Sequence, residues 1–525
     1  MRPLVSESSE RKLAVILAAV LALVTLLPLP VSAVVTFTHG VASGDVTPFS
    51  ALLWTRAETA TSLTVEVSTT SNFGSLAFRR QVATSVAHDF TAKVLAAPLR
   101  PDTVYHYRWR HGSSVSEVGT FKTAPLPWVS ADVRFGWSGD TDGVRQLNGE
   151  PFFNDFEALD TATGDGLDFF IYLGDTIYSD SPLLPPALHA DTLDEYRAFY
   201  KANRDYPALK NLLRSTSTYA VWDDHEVRND YDVTVDPALY AAGRQAFREY
   251  MPVIDIPLPS QACVGHPMFK VFRWGAHVDL IVLDTHSCRS QSAAPACPLP
   301  AGFLFPTDPL PTLPDAFRPP FGGFTTPTQS PTCLAAINDP SRTLLGSVQK
   351  ALLKAALLHS TATVKFVISP STIAQTLVTP LARWEGYAAE RREVLEFIRD
   401  HGIQNVIFLS TDDHRNLIIP VLVDLFADPT PVALEFVTGP IAAFTDADGF
   451  RFFFGPGKLS DAAIAANNAL LDIAGAECRN TDAYSYGVVE VSAAGAVTVT
   501  LKDAAGGTIL SEQAGNAPCV KTLTP

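Results

Sequence analysis

Four apolar runs in this chain each lead directly into a loop rich in aspartate and histidine. These loops are Ser138-Gly-Asp140-Thr-Asp142, Gly174-Asp175-Thr-Ile-Tyr178, Asp223-Asp-His-Glu226-Val-Arg-Asn229-Asp230 and Ser410-Thr-Asp412-Asp-His414. Sites in open α/β sheets form beyond the carboxyl ends of the strands. We therefore expect a fold whose sheets bring the four loops to one edge.

From about residue 132 the sequence alternates short, β-rich apolar runs with helical stretches. The predicted strands are 133–137, 168–173, 277–283, 364–368 and 405–409, and the helical stretches include 194–213, 344–358 and 387–401. Strands that alternate with helices are typical of α/β domains with buried strands. We predict a catalytic α/β domain over 130–515, in which the strand-like stretch 484–510 closes one sheet.

Residues 34–126 have a different pattern and are predicted to form a separate β domain. The segments 63–68 and 104–109 alternate apolar and polar residues, as half-buried strands do. Turn residues recur between such runs, which is typical of a β-sandwich of about ninety residues. The segment 124–127, Ala-Pro-Leu-Pro, is the expected linker.

The first 33 residues carry the features of a secretory signal peptide in the usual order. Arg11 and Lys12 precede the apolar run 13–24, and the small residues Val31-Ser-Ala33 follow. We expect cleavage after Ala33 and a secreted or periplasmic mature protein without an integral membrane span. An uncleaved anchor is the alternative, although the apolar run is short for a bilayer.

Six cysteines follow the signal segment, and their even number permits three disulfides. Several of them flank or lie within a Pro-rich insertion at about 289–335, which is too polar to pack alone. Crosslinks there would reduce the freedom of a long loop in the unfolded chain. The pairing cannot be read from the sequence, and Cys478 with Cys519 is the simplest C-terminal choice.

The charge balance limits what the protein can bind. Lys and Arg total 39 against 55 Asp and Glu, a formal net charge of −16. So acidic a chain is not expected to bind nucleic acid stably, because phosphate backbones require basic patches. Carboxylates crowded at one sheet edge require cations, and Asp, His, Tyr and Asn are ligands that hard or borderline metals accept. The four loops therefore predict a multi-metal centre.

Each loop taken alone has an ordinary structural explanation. A single Gly-Asp at a strand end is usually a turn or a helix cap. His414 alone would more often be a structural histidine than a metal ligand. The prediction depends on the conjunction of four such loops after four apolar runs.

Recognisable segments span nearly the whole mature chain. They are Gly40-Val-Ala-Ser-Gly-Asp45 with Leu53-Trp-Thr-Arg56, Leu173-Gly-Asp-Thr-Ile-Tyr178, Trp222-Asp-Asp-His-Glu-Val227 with Asn229, Leu283-Asp-Thr285, Ser410-Thr-Asp-Asp-His414 and Glu435-Phe-Val-Thr-Gly-Pro440. Together they resemble the alkaline phosphatase D (PhoD-like) family of secreted phosphatases and phosphodiesterases, which are relatives of the purple acid phosphatases among the calcineurin-like metallophosphoesterases. The resemblance implies an immunoglobulin-like β-sandwich, followed by a two-sheet αββα catalytic domain with an iron(III) and calcium centre.

The resemblance also implies which residues bind the two metals. The predicted ligands are Asp140, Asp175, Tyr178, Asp224, Asn229, Asp412 and His414. Asp175 would bridge the metals and Tyr178 would bind the iron. Asp224 and Asn229 are alternatives for the second metal, between which the sequence does not decide.

Two positions depart from the family's pattern. The family commonly has a cysteine ligand in the first motif, where this chain has Asp140, as the purple acid phosphatases do. A carboxylate makes the site harder than a thiolate does, so two divalent cations are an alternative to iron and calcium. In the last motif Thr411 stands where the family usually has glycine, which leaves the backbone geometry of that loop open.

We predict a metal-dependent hydrolase that acts on small phosphate monoesters or diesters. A hydroxide held between two cations bridged by Asp175 would attack phosphorus, while the cations neutralise the phosphoryl charge. His225 would contact a phosphate oxygen or protonate the leaving group. Arg228 and Arg289 are weaker candidates for phosphate contact, because such arginines are more often salt-bridge partners.

Two rival functions remain on the sequence alone. One is a phospholipase D-like phosphodiesterase, with the aromatic segment Phe450-Arg-Phe-Phe-Phe454 or the Pro-rich insertion forming a lipid-facing mouth. The other is a binding protein that keeps the fold and has lost turnover. For any of the three functions we expect a monomer.

Overall fold

The computed structural model describes residues 34–256, 258, 263–299, 307–318 and 328–524. The predicted signal peptide at 1–33 lies outside the described residues, as do parts of the Pro-rich insertion. Within the described ranges no helix has the length and apolar character needed to cross a membrane.

Residues 34–126 form eight strands. They are β1 (Val41–Gly44), β2 (Ala51–Arg56), β3 (Ser62–Ser68), β4 (Phe78–Ala83), β5 (Thr91–Ala96), β6 (Val104–His111), β7 (Ser114–Val115) and β8 (Gly119–Lys122). Strands β3, β4, β6, β7 and β8 make an antiparallel sheet. Its buried side chains include Val65, Val67, Tyr107 and Trp109, which come from the two alternating segments of the sequence. The predicted N-terminal β-rich domain is confirmed.

The described part of the remaining chain adds strands to two larger sheets. They are β9 (Val133–Ser138), β10 (Phe169–Leu173), β11 (Ser217–Val221), β12 (Lys270–Trp274), β13 (Val278–Val282), β14 (Val364–Ile368), β15 (Val406–Ser410), β16 (Asn416–Asp424), β17 (Asp428–Val437), β18 (Cys478–Asn480), β19 (Ser485–Val491), β20 (Val497–Asp503) and β21 (Val520–Leu523). One sheet has the order β21-β20-β19-β9-β10-β11-β1-β2-β5, and the other has the order β12-β13-β14-β15-β17-β16-β18. Strands β9 to β11 are parallel, and so are β13, β14, β15 and β17. Within each parallel group the carboxyl ends therefore lie at one edge.

Three strands of the N-terminal region continue the larger sheet. Strand β1 pairs in parallel with β11 at Gly44 and Thr218, and β2 and β5 follow in antiparallel order. The N-terminal region is thus hydrogen-bonded to the α/β region, in addition to its covalent connection through the predicted linker at 124–127.

The two larger sheets pack face to face through aromatic side chains. Phe135 of β9 meets Phe366 of β14 edge-on, with ring centroids 5.2 Å apart. Phe169 of β10 lies 4.6 Å from Trp274 of β12, again between centroids. All four side chains are fully buried. The mixed α/β fold predicted from the alternating pattern is confirmed.

Helices flank the sheets. They are α1 (Glu157–Thr163), α2 (Leu193–Arg204), α3 (Pro207–Ser215), α4 (Pro237–Tyr250), α5 (Pro331–Ile337), α6 (Gly346–His359), α7 (Ala388–Asp400), α8 (Asp446–Phe454) and α9 (Lys458–Ile473). Leu353 of α6 and Val394 of α7 share a core with Val367 of β14, so these helices pack on the seven-stranded sheet. The predicted helical stretch 194–213 is divided into α2 and α3, because Pro207 lacks the N–H that would continue α2 and begins α3 instead.

The six cysteines form three disulfides. The pairs are Cys263–Cys288, Cys297–Cys333 and Cys478–Cys519. The expected C-terminal pairing is therefore confirmed. The Cys297–Cys333 bond closes the Pro-rich insertion on itself.

Substitution of Gly487 in β19 tests how closely this strand packs against β9, the strand that leads into the first acidic loop. It pairs with Trp137 of β9, and a Cβ at 487 would overlap the ring of Trp137. We expect Gly487→Ala to lower the free energy of unfolding by about 1–3 kcal/mol, the usual cost of overpacking. In the control Gly449→Ala the new Cβ would meet open space within a helix, so stability should be equal or slightly higher. Equal denaturant midpoints for the two variants would contradict the predicted overlap.

Candidate metal centre

The four acidic loops meet at one edge of the packed sheets, where they follow β9, β10, β11 and β15. Hydrogen bonds join them. The amide of Thr141 donates to the carbonyl of Asp175 at 2.9 Å, and the hydroxyl of Thr411 donates to the carbonyl of Leu173 at 2.7 Å. The amide of His225 donates to Oδ1 of Asp175 at 3.2 Å. The predicted convergence is therefore a feature of the folded chain.

Asp175 belongs to two groups of side chains that could each hold a cation. One ligand atom from each of Asp140, Asp175 and His414 lies within 4.8 Å of the others. The same is true of Asp175, Asp224 and His225. The buried carboxylate of Asp175 thus belongs to both groups. We call the residues of the two groups, Asp140, Asp175, Asp224, His225 and His414, the cluster.

Unpaired oxygen atoms show that the cluster suits cations. Both carboxylate oxygens of Asp140 and Oδ1 of Asp224 are buried without a hydrogen-bond partner among the described residues. A buried carboxylate of this kind destabilises the fold unless an opposite charge offsets it. Carboxylate, imidazole and phenol donors are also ligands that hard and borderline metals accept. The residues present therefore fit a metal centre.

Burial and mutual repulsion both raise the pKa of the carboxyl groups at the site. Burial, with the charges of Asp412 and Asp223, raises the pKa of Asp140 well above its usual range. Burial, with Asp224 and Asp223, does the same to the pKa of Asp175. Burial and Asp223 also raise the pKa of Asp412. A bound cation would favour the charged forms and reverse these shifts.

His414 presents an unprotonated nitrogen to the cluster. Its Nδ1 donates to the carbonyl of Phe444, so Nε2 of the neutral ring carries the lone pair. Burial lowers the pKa of His414 to about 4, which keeps the ring neutral. The hydroxyl of Tyr178 donates to this Nε2 at 3.0 Å, and Oδ1 of Asp140 is 3.7 Å from it. Tyr178, Asp140 and His414 therefore face the same space.

His225 is held with its other ring nitrogen towards Asp224. Its Nδ1 donates to Oδ1 of Asp180 at 2.6 Å, and its Nε2 lies 4.0 Å from Oδ1 of Asp224. Burial lowers the pKa of His225, but the carboxylates of Asp224 and Asp180 outweigh burial and raise it to about 10. Its ring stacks on Tyr178, with centroids 4.0 Å apart. In the metal-free protein His225 is therefore positively charged.

Four candidate ligands have a left-handed backbone conformation. The φ angle is 59° at Asp140, 48° at Asp175, 62° at Asp412 and 53° at His414. Such angles are uncommon outside glycine, and they concentrate at functional sites. Thr411 is not among the residues with positive φ. Its loop therefore accommodates a threonine where the family usually has glycine.

Asp224 and Asn229 occupy different positions at the site. Asp224 lies in the group around Asp175, and its Oδ2 accepts from the amide of Asp230. The side-chain amide of Asn229 donates to the carboxylate of Asp230 at 3.1 Å. Asn229 also lines a cavity of about 580 Å³ beside the cluster. The structure thus brings Asp224 into the cluster and places Asn229 on the cavity wall.

Arg228 makes its contacts outside the cluster. Its guanidinium donates to the carboxylate of Asp191, and also to the hydroxyl of Tyr196 at 3.2 Å. It does not line the cavity beside the cluster. Because protein groups already occupy these donors, the predicted contact between Arg228 and phosphate gains no geometric support and stays a prediction.

Two residues at the site were not singled out from the sequence. Arg383 pairs with Asp413, and its Nε lies 3.8 Å from Oδ2 of Asp412. It lies in the loop after β14, and a search of strand-end loops for basic residues as well as acidic ones would have found it. Asp180, the partner of His225, lies two residues beyond the second acidic loop, 174–178.

Two cavities lined by residues that the structure describes adjoin the cluster. The first, of about 580 Å³, is lined by Tyr178, His225 and His414 among others. The second, of about 420 Å³, is lined by Asp224 and Arg289. Both are lined by Asn229, Thr379, Arg383 and Asp412. The candidate ligands thus lie where two cavities adjoin.

Comparison with known sequences places the chain in a family. The family model described as PhoD-like phosphatase matches residues 146–500, and the model of its N-terminal domain matches 30–125. The chain belongs to the PhoD-like phosphatase family. Alkaline phosphatase D of Bacillus subtilis (strain 168) is 26% identical over 420 residues, which cover 72% of this chain and 64% of that relative. The match thus spans less than two thirds of the relative's length.

Solved structures share the fold of this PhoD-like chain. The structure of PhoD superposes with a TM-score of 0.71 at 22% identity, covering 94% of this chain and 90% of that one. Purple acid phosphatase PPD1 from yellow lupin (Lupinus luteus) seeds gives a TM-score of 0.52 at 10% identity, covering 92% and 73%. The family resemblance expected from the motifs is confirmed.

Asp140→Asn tests whether the cluster is built for cations. At a pH high enough to ionise the Asp140 carboxyl, the change removes a buried negative charge, so in chelator-treated protein we expect a higher midpoint temperature, by an amount on the order of 2 °C. Added divalent cation should stabilise the variant less than it stabilises the unchanged protein, because a ligand is lost. Asp461→Asn, at an exposed position in α9, serves as the control and should alter neither value. Equal cation-induced shifts in Asp140→Asn and the unchanged protein would argue against Asp140 as a ligand.

Proposed function

We propose that this PhoD-like protein is a metal-dependent phosphoric ester hydrolase with phosphatase or phosphodiesterase activity. The observation that carries the proposal is the membership of Asp175 in two groups of candidate ligands beside a cavity of about 580 Å³. Membership of the PhoD-like phosphatase family supports the same reaction class.

Two cation sites follow from the donor groups. The first would be held by Asp140, Asp175, Tyr178 and His414, and the second by Asp175 and Asp224, with His225 and Asn229 beside it. Bound cations would neutralise charge on the phosphoryl oxygens and lower the pKa of a water from ~16 towards ~7. Asp412, which lies beside Arg383, stays a predicted further ligand.

We propose that His225 donates a proton or a hydrogen bond to the substrate. Asp180 holds its Nδ1, so a proton carried by Nε2 would be the one available to a substrate. That Nε2–H can donate a hydrogen bond to a phosphoryl oxygen, or give its proton to the leaving alkoxide. Arg383 and Arg415 also line this cavity, and their positive charges offset part of its acidic lining, which favours an anionic substrate.

Tyr178 offers a test of which metals bind. We propose iron(III) at the site of Tyr178 and calcium at the other, as the family resemblance implies. A tyrosinate bound to iron(III) absorbs visible light, so the purified protein should be coloured and Tyr178→Phe should lose the band. A colourless, active protein without iron would favour two divalent cations, which the carboxylate of Asp140 suits.

We also propose that the protein is exported from the cytoplasm. Three disulfides are typical of proteins that fold in an oxidising compartment, and the signal-like segment 1–33 supports secretion. N-terminal sequencing of the exported protein should start after Ala33. We propose that the mature protein is a monomer acting on small phosphate esters.

Asp175→Asn should abolish hydrolysis with little effect on the fold. The amide keeps the shape of the carboxylate but removes the charge that both ligand groups share. We expect kcat on aryl phosphate and bis-aryl phosphate to fall by at least about 100- to 1,000-fold, as when a preorganised electrostatic contact is removed. Asp461→Asn should keep full activity. A variant with near-normal hydrolysis would remove Asp175 from the site.

A further inference from the structure

An aromatic wall lines the cavity beside the candidate metal centre. We define this wall by the phenylalanines that share the cavity: Phe153, Phe444, Phe450, Phe452, Phe453 and Phe454. The ring centroids of Phe153 and Phe444 are 5.1 Å apart, and those of Phe444 and Phe452 are 4.8 Å apart. His225 and His414 line the same cavity. A group bound against the wall would therefore lie beside the cluster.

The aromatic wall is tied directly to a loop of candidate ligands. The carbonyl of Phe444 accepts a hydrogen bond from Nδ1 of His414, and the amide of Asp446 donates to the carbonyl of His414 at 2.8 Å. Thr445 caps α8 by accepting from the amide of Asp448 at 3.1 Å. Helix α8, which carries four of the six phenylalanines, thus begins at the cluster. The position of the wall relative to His414 is set by these bonds.

Part of the aromatic wall is exposed. Phe452 is 53% and Phe453 is 73% exposed, although both line the cavity. Covering apolar surface of this kind is favourable in proportion to the area removed from water. Exposed apolar surface beside polar groups marks sites where a ligand or partner binds.

The second cavity has no aromatic side chain among the described residues that line it. It is lined by Asp230, Arg289 and Asp308, and it shares Asn229 and Arg383 with the first. An apolar group there would meet no aromatic wall, and it would cover the half-exposed carboxylate of Asp230 without pairing it, which is unfavourable. An apolar part of a substrate would therefore bind in the first cavity.

We propose that the aromatic wall is a subsite for one alkyl or aryl substituent of the phosphate ester. This rests on the proposed function, because the phosphoryl group must lie at the Asp175 cluster. The second cavity adjoins the same cluster and has space for a polar second substituent. Substrate preference then depends on Phe452 and Phe453, which act as specificity residues and take no part in the chemistry.

Inhibition by n-alkylphosphonates tests the subsite, because their carbon–phosphorus bond is not hydrolysed. In the metal-replete protein, the inhibition constant against aryl phosphate hydrolysis should fall as the chain grows from methyl to octyl. We expect roughly two- to fourfold per buried methylene over the first few carbons. In Phe452→Ala/Phe453→Ala the ratio of the methyl to the octyl constant should fall to below about threefold.

Phe49→Ala is the matched control, because Phe49 is also 53% exposed but belongs to the N-terminal β region. It should keep the full dependence on chain length. Alanine favours a helix more than phenylalanine does, so the double variant should fold, and far-ultraviolet circular dichroism checks this. A ratio near one in the unchanged protein, or an equal ratio in the double variant, would overturn the subsite while leaving hydrolysis established. Absence of hydrolysis in the unchanged protein would instead overturn the proposed function and the subsite with it.

The same apolar group could belong to a dissolved ester or to a lipid in a bilayer. We assign it to a dissolved ester, because the aromatic wall shares its cavity with the cluster. Co-sedimentation with phosphatidylcholine vesicles distinguishes the two sources. The protein should stay in the supernatant. Co-sedimentation that is lost in Phe452→Ala/Phe453→Ala would overturn the assignment to a dissolved ester.

Discussion

Repulsion among buried carboxylates is the interaction on which the rest of this structure depends. Asp140, Asp175 and Asp412 come from three different strand ends, and burial together with neighbouring charges raises the pKa of each. Left alone, such a cluster destabilises the folded chain. Bound cations would reverse the effect and make the same cavity attractive to an anion. Stability and the proposed chemistry therefore depend on the same charges.

The fold holds the cluster in place from two directions. Buried aromatic contacts, such as that between Phe135 and Phe366, hold the two sheets together. These contacts fix the positions of the strand ends from which the acidic loops begin. Side chains behind the site then orient its histidines. Asp180 holds Nδ1 of His225, and the carbonyl of Phe444 holds Nδ1 of His414, which directs the other nitrogen of each ring. Phe444 also belongs to the aromatic wall, so orientation of the cluster and selection of substrate are linked.

The strands and the convergence of the acidic loops could be predicted from the sequence, because both depend on local patterns of apolar and polar residues. The predicted strands 133–137 and 405–409 lie within one residue of the observed ones at each end, since continuous apolar runs mark buried strands. Convergence of the four loops followed from the rule that sites form at strand ends. The pairing of β1 with β11 could not be predicted, because it joins residues that are far apart in the sequence and no local pattern of residues indicates it. The contacts of Asp180 and Arg383 depend on side-chain direction, which only the packed structure defines.

The number of metal ions bound per chain tests the central claim most directly. The purified protein, dialysed against metal-free buffer, can be analysed by inductively coupled plasma mass spectrometry alongside Asp175→Asn. Because Asp175 serves both ligand groups, we expect about two tightly bound ions per chain in the unchanged protein and fewer than one in the variant. An active protein that retains no metal, or equal metal content in both proteins, would contradict a centre built around Asp175.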